Sequence, residues 1–271
     1  MEKEINRLIK MWDGFDRNSL EKIYSVDKPI ISLVMLSWLR FDKLIKTLNH
    51  FTDTVKIPLN IALRIQGSEK LKKVQRKKIA QAIDKFEDSF ISFREQNHGS
   101  GEPRWEMLQE AKKFNTPYIM FTDDDMLFPR GSIEAKLSIL NSKKKLGACA
   151  SWCSPGYTAW NVVGKNILPR QPRPPFDYVD AMGSATTIMK SKVFEKCDYD
   201  KKYYVGWGDF DLCMQLRQNN WKCAILALSE LKAINDVKDD PPEYRQTRYN
   251  KKYAEKSSKR FLSKWGIKIG R

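Results

Sequence analysis

Three consecutive carboxylates, Asp123, Asp124 and Asp125, follow the apolar run Tyr118–Phe121 and lead directly into Met126, Leu127 and Phe128. An apolar run this short suits a buried strand better than a helix. Adjacent acids at the end of such a strand repel one another unless a cation sits among them. Oxygen-only ligands in that position suit Mg²⁺ or Mn²⁺, which bind through one or two carboxylates plus substrate phosphates. The bland alternative is a solvated acidic turn.

The chain before this run alternates between strand and helix patterns. Residues 1–24 place Ile5, Leu8, Ile9 and Trp12 at helical spacing, which predicts an amphipathic helix packed on the domain. A buried strand at Ile30–Leu36, a turn at Ser37–Arg40 and a helix at Phe41–Phe51 form the opening unit of a parallel α/β sheet. Strand Leu59–Ile65 ends in Gln66, helix 69–86 is basic outside, and strand Phe90–Phe93 leads to Asn97-His98-Gly99. Ligands of open α/β sheets bind beyond the strand ends. Ser37, Gln66, Asn97 and Asp123 all fall at such ends, so they are expected to share a site.

Beyond the helix Ser132–Leu140 and the strand Gly147–Trp152, residues 153–179 contain Pro155, Pro169, Pro172, Pro174 and Pro175 with several aromatics. An irregular stretch this long is usually functional, and it reads as a mobile lid or acceptor wall. A second acidic cluster, Asp209-Phe210-Asp211, opens a helix over Phe210–Asn219, where acids are favoured by the helix dipole. Residues Tyr244–Trp265 read as one basic helix anchored by Tyr249, Tyr253, Phe261 and Trp265. The organisation expected is a helical extension over 1–29, a catalytic domain over 30–243 and a basic C-terminal helix over 244–271.

Composition narrows the setting. The chain of 271 residues carries a formal charge of +16, which points to an anionic partner. No stretch approaches the ~18 apolar residues of a membrane span. The first ten residues lack the apolar core of a secretory signal, so a cytoplasmic address is expected. Five cysteines without zinc-ligand spacing read as packed, reduced thiols.

Taken together these motifs resemble the glycosyltransferases of the GT-A type, close to the large family 2 group, over about Ile30 to Trp265. Ile31–Arg40 is similar to that family's first strand and turn, and Asn97-His98-Gly99 with Arg104 to its nucleotide-side loop. Asp123-Asp124-Asp125 resembles its metal-binding D-x-D, and Gly183-Ser184-Ala185 its small-residue segment before the acceptor site. Trp207-Gly208-Asp209-Phe210-Asp211-Leu212-Cys213 resembles its E-D-x-D-L-C helix start, and Lys264-Trp265-Gly266 a common ending. The chain departs from the pattern in two places. Gln66 stands where an Asp usually contacts the nucleotide base, although its amide can donate to and accept from a pyrimidine edge. Gly208 replaces a Glu, and no His follows His98 to complete a metal site, leaving Asn235 or Asp236 as substitute oxygen ligands.

The resemblance implies a mixed, mainly parallel sheet flanked by helices in one domain, and a metal-dependent, inverting transfer from a nucleoside-diphosphate sugar, UDP-linked by expectation. Ser37, Trp38, Arg40, Gln66, Asn97, Arg104, Asp123 and Asp124 are then the donor-binding candidates. Asp123, Asp125 and Asp236 are the candidates for the Mn²⁺ or Mg²⁺ ion, which would neutralise charge building on the leaving diphosphate. Asp209 is the candidate base for the acceptor hydroxyl, with Asp211 capping the helix or orienting it.

The acceptor has to be read from charge. From Arg245 to Arg271 ten basic residues face only Glu255, and helix 69–78 and Lys143-Lys144-Lys145 add to a polyanion footprint. The first expectation is a hydroxymethylated base in DNA, flipped out of the duplex by the 153–179 segment. The alternative is a cell-surface polysaccharide or teichoic-acid-like polymer. A metal-dependent nuclease and an inactive binding module are the rivals from other classes.

Overall fold

The computed structural model describes residues 1–154, 159–236 and 238–269. The N-terminal segment forms two helices where the sequence predicts one, α1 (Glu2–Met11) and α2 (Arg17–Tyr24). Between them the Trp12 indole lies over Gly14, where any Cβ would collide with the ring. Asp16 then caps α2 by accepting the backbone N–H of Asn18. Ile5, Leu8, Leu20 and Ile23 are buried in the same core as the sheet.

From β1 (Ile31–Trp38) through α3 (Phe41–Thr54), β2 (Leu59–Gln66), α4 (Lys73–Ile83), β3 (Asp88–Arg94), α5 (Gly101–Lys113) and β4 (Tyr118–Asp123) the chain keeps the expected alternation. β1 runs parallel between β2 and β4, with β3 outside β2. β1, β2 and β4 are buried, and parallel strands covered on both faces read as near-continuous apolar runs, whereas β3 at the sheet edge is largely exposed. The register sets Trp38 beside Gln66 and Leu36 beside Asp123, so the strand ends share one edge.

After Asp123 the chain turns into β5 (Met126–Leu127), α6 (Ser132–Ser142) and β6 (Leu146–Ser151). The stretch 153–179, expected as a mobile lid or acceptor wall, is largely strand among its described residues, β7 (Cys153–Ser154), β8 (Ala159–Val163), β9 (Asn166–Arg170) and β10 (Phe176–Val179), with 171–175 irregular. β8 and β9 form an antiparallel hairpin around Gly164, whose φ of 59° suits a tight two-residue turn. Pro155 lies outside the described residues.

β11 (Ala181–Met182) pairs with β8, and β12 (Thr186–Lys190) runs antiparallel between β4 and β6. α7 (Gly208–Gln218) leads to β13 (Lys222–Leu226), parallel to β6, and β14 (Ala233–Asn235) bridges β5 and β7. The main sheet therefore has the order β10-β13-β6-β12-β4-β1-β2-β3 among the described residues, mixed but mainly parallel and flanked by helices. The basic segment divides into α8 (Pro242–Arg248) and α9 (Lys251–Trp265), because Asn250 caps α9 by accepting from Lys252 N–H, and β15 (Lys268–Ile269) follows. Phe261 anchors α9 in the core, whereas Tyr249 is exposed and anchors nothing. No helix among the described residues is long and apolar enough to cross a membrane.

Candidate active site

A cavity of about 330 Å³ opens at the edge where β1, β2 and β4 end. Ser37, Trp38, Arg40, Gln66, Asn97, Arg104, Asp123 and Asp209 all line it. Sequence reasoning located them because each follows a strand or opens a helix that points at this edge. Asp124, Asp125 and Asp236 stand outside its lining.

The three acids of the 123–125 turn meet different partners. Arg40 reaches across from the end of β1 and forms ion pairs with both Asp124 and Asp125. The backbone holds the turn as well: Thr47 donates its hydroxyl to the Asp124 carbonyl at 3.0 Å, and Asp236 N–H donates to the Asp125 carbonyl at 2.8 Å. Burial raises both carboxyl pKa values, with Arg40 opposing, and pushes Asp125 up to about 7. Arg40 itself is buried, with the Tyr244 ring 4.1 Å from its guanidinium carbon. Expected as a phosphate contact, it already serves as the counterion of two buried acids.

Asp123 points into the cavity and is paired with Arg104. The other arm of the Arg104 guanidinium donates to the Ser184 hydroxyl, and the Ser184 backbone N–H donates to Asp209 Oδ2 at 3.2 Å. Asp209 Oδ1 accepts from Phe210 N–H at 3.1 Å. Burial raises the Asp209 pKa, while Arg104 and these two N–H groups pull it down. Trp207 caps α7 with φ at 65°, a left-handed conformation costly for a bulky residue, and its indole N–H donates to the Ala254 carbonyl at 3.3 Å. The helix end that carries Asp209 is thereby tied to α9.

Gln66 does not offer a free amide for reading a base. Its Nε2 donates to the Gly99 carbonyl at 3.0 Å and its Oε1 accepts His98 N–H at 2.8 Å. The side chain fixes the loop carrying Asn97, which in turn accepts Gly99 N–H at 2.8 Å. Asp211, similarly, neither caps the helix nor touches Asp209. It is fully buried and accepts from Gln215, Lys264 and the Trp265 indole, at 2.7, 2.9 and 2.7 Å, which fastens α7 to α9.

Among the described residues no three His, Cys, Asp or Glu side chains converge to hold a metal. Asp236 turns its carboxylate to Lys46, 2.7 Å away, which lowers its pKa. Its neighbour Asn235, the last residue of β14, faces the cavity instead. Asp125 Oδ1 and Asn235 Oδ1 are buried without a hydrogen-bond partner. Together with Asp123, such unclaimed oxygens fit a hard cation completed by substrate phosphates rather than one caged by protein alone.

Sequence reasoning missed Tyr199, Tyr204, Tyr244, Thr247 and Arg248, which also line the cavity. Tyr244 and Arg248 sit four residues apart on α8, a spacing that puts both on one helix face and was readable in principle.

No known family profile and no curated protein sequence matches the chain. Solved structures do. The chain superposes on the mannosyltransferase PcManGT from Pyrobaculum calidifontis, in complex with GDP-Man and Mn²⁺, with a TM-score of 0.59 at 12% identity, covering 94% of this chain and 71% of that one. It superposes on S. aureus TarS 1-349 with a TM-score of 0.56 at 12% identity, covering 86% of this chain. The fold is GT-A-like. A third match is TarS 1-349 in complex with UDP-GlcNAc, with a TM-score of 0.55 at 12% identity and 78% of this chain covered. The GT-A-like chain spans 65% of the first TarS structure and 59% of the UDP-GlcNAc complex. At these identities the likeness is one of fold.

Proposed function

We propose that this chain is an inverting glycosyltransferase that moves a sugar from a nucleoside-diphosphate sugar, UDP-linked in the preferred reading, to an acceptor hydroxyl. The observation that carries this reading is the convergence of Asp123 and Asp209 on one cavity, linked through Arg104 and Ser184. The GT-A-like fold supports it, since TarS holds UDP-GlcNAc and PcManGT holds GDP-Man on the same architecture.

In this reading the loop Asn97–Ser100, braced by Gln66, forms the nucleotide side of the cavity, with Ser37 and Trp38 opposite. Asp123 meets the donor, while Asp124 fixes the turn through Arg40. A divalent ion held by Asp123, Asp125 and Asn235 would stabilise charge on the leaving diphosphate. Asp209 accepts the proton of the acceptor hydroxyl as it attacks, and general-base help of this kind contributes about 10²–10⁴-fold. Burial leaves Asp209 a stronger base than an exposed carboxylate, which suits that task.

For the acceptor we favour a cell-surface polysaccharide or teichoic-acid-like polymer. DNA, the first expectation, finds no support in the fold. Most of the described part of the 153–179 segment, cast as the base-flipping wedge, is committed to strand pairing. The C-terminal helices also spend part of their charge internally, Arg260 on Asp200 at 3.1 Å and Lys264 on Asp211 at 2.9 Å.

The test is a panel of UDP- and GDP-sugars incubated with the protein and Mn²⁺, with release of nucleoside diphosphate followed by mass spectrometry. Release from one donor, lost in Asp123→Ala, is the expected result. Phosphodiester cleavage with Mg²⁺ and no sugar nucleotide would instead support the nuclease reading.

A further inference from the structure

The donor cavity takes up one edge of the sheet, and a second feature occupies the other. There β4, β6 and β13 begin and β12 ends, which brings Tyr118, Leu146, Lys190 and Lys222 to a common edge. Three adjoining hollows of about 880, 280 and 460 Å³ lie along it. Lys145 and Trp221 are shared by the first two, and Lys192 by the second and third, so they form one groove.

The groove is strongly cationic. Lys144, Lys145, Lys192 and Lys196 line its middle section beside one acid, Glu195; all four lysines are exposed and none forms an ion pair among the described residues. Arg217, by contrast, is matched by Asp180 at 2.8 Å. The backbone presenting Lys144 and Lys145 is fixed. Lys190 donates to the carbonyls of Lys143 and Lys144 at 3.0 and 3.4 Å, and Lys222 N–H donates to the Lys145 carbonyl at 2.8 Å. Trp221, half-buried, is seated over Gly147, where an added Cβ would come 3.0 Å from the Trp221 Cβ. The groove therefore combines unmatched ammonium groups on a braced turn with a fixed aromatic face.

We infer that this groove binds a phosphodiester-linked polyol or sugar polymer, the acceptor in extended form, at a distance from the site of transfer. Phosphates meet the lysines, and the carbon face of a polyol or sugar lies on Trp221. The hollows, about 880, 280 and 460 Å³, are of the order of small-molecule sites, a size suited to single repeat units of a flexible chain. Five or six strand residues at about 3.3 Å each separate this edge from the donor cavity. Only a chain of several units can occupy both, so the groove selects polymer over monomer. The inference deepens the acceptor named above and rests on that reading.

The experiment measures binding of purified poly(glycerol phosphate) to the full chain by calorimetry without donor, alongside uptake of UDP-sugar by the same samples. Two quadruple variants at Lys144, Lys145, Lys192 and Lys196 are compared, one with every lysine changed to Glu and one with every lysine changed to Gln. A third sample carries Trp221→Ala. The wild-type protein binds the polymer with an affinity that falls as salt rises, and the Glu variant loses on the order of tenfold or more. The Gln variant loses less, Trp221→Ala weakens binding at every salt concentration, and UDP-sugar uptake is unchanged throughout. Polymer binding unaffected by either quadruple variant overturns the inference. So does tighter binding of duplex DNA through the same lysines. Absence of UDP-sugar uptake in the wild-type protein counts against the proposed activity, and leaves polymer binding readable on its own.

Discussion

Arg104 holds the carboxylate of Asp123 in a direct ion pair. Its second arm reaches the Ser184 hydroxyl, and Ser184 N–H touches Asp209. One guanidinium thus stands between Asp123, the proposed donor-side acid, and Asp209, the proposed base. Because Arg104 lowers the Asp209 pKa against the effect of burial, its loss leaves the base harder to ionise. Arg104→Gln is predicted to shift the acidic limb of the transfer rate–pH profile upward, so that activity is lost at a higher pH than in the wild-type protein. An unshifted limb would separate Arg104 from the base. Arg104→Lys, which keeps the charge but not the fork, restores the limb only in part.

Asp211 tests which of the paired acids is structural. It is fully buried and receives Gln215, Lys264 and Trp265. Asp211→Ala leaves the half-buried Gln215 and Trp265 donors unmet, while Lys264 is exposed and keeps Asp200 nearby, so the expected cost is that of unsatisfied donors, about 1–3 kcal/mol. Denaturant unfolding is predicted to show that loss. Donor binding should persist at temperatures where the variant remains folded.

Lys136 gives a pH signature remote from the cavity. Fully buried, it donates to the Thr186 carbonyl at 2.7 Å, and burial pushes its pKa down to about 7 from 10.5. The unfolded chain therefore binds more protons than the folded one between these values, and stability rises with pH across that window. The contribution is complete above about pH 10.5 and is lost as pH falls towards 7. Lys136→Met is predicted to flatten this rise in thermal unfolding curves measured between pH 7 and 10.

Much of the site was legible in the sequence because strand ends of a parallel sheet are set by local signals. Apolar runs stop, polar residues follow, and Ser37, Gln66, Asn97 and Asp123 gather without any knowledge of long-range contacts. What those side chains then bind was not legible. The amide of Gln66 looked free for a base, and only the fold brings His98 and Gly99 against it. Arg40 looked free for phosphate until the fold set the acidic turn and the Tyr244 ring against it. Asp236 carries the charge of a metal ligand, yet its carboxylate pairs with Lys46, and it is Asn235 that lines the cavity. The prolines of 153–179 suggest irregularity, yet Ala159–Val163 and Asn166–Arg170 within it pair with each other.

The account depends most on Asp209 acting as the base beside a bound donor, and a single comparison tests it. Calorimetric titration of wild-type protein and Asp209→Asn with the active UDP-sugar and Mn²⁺ is set against transfer by the same samples. The account predicts donor affinity within about twofold and transfer reduced by about 10²-fold or more. Full transfer by Asp209→Asn would contradict it.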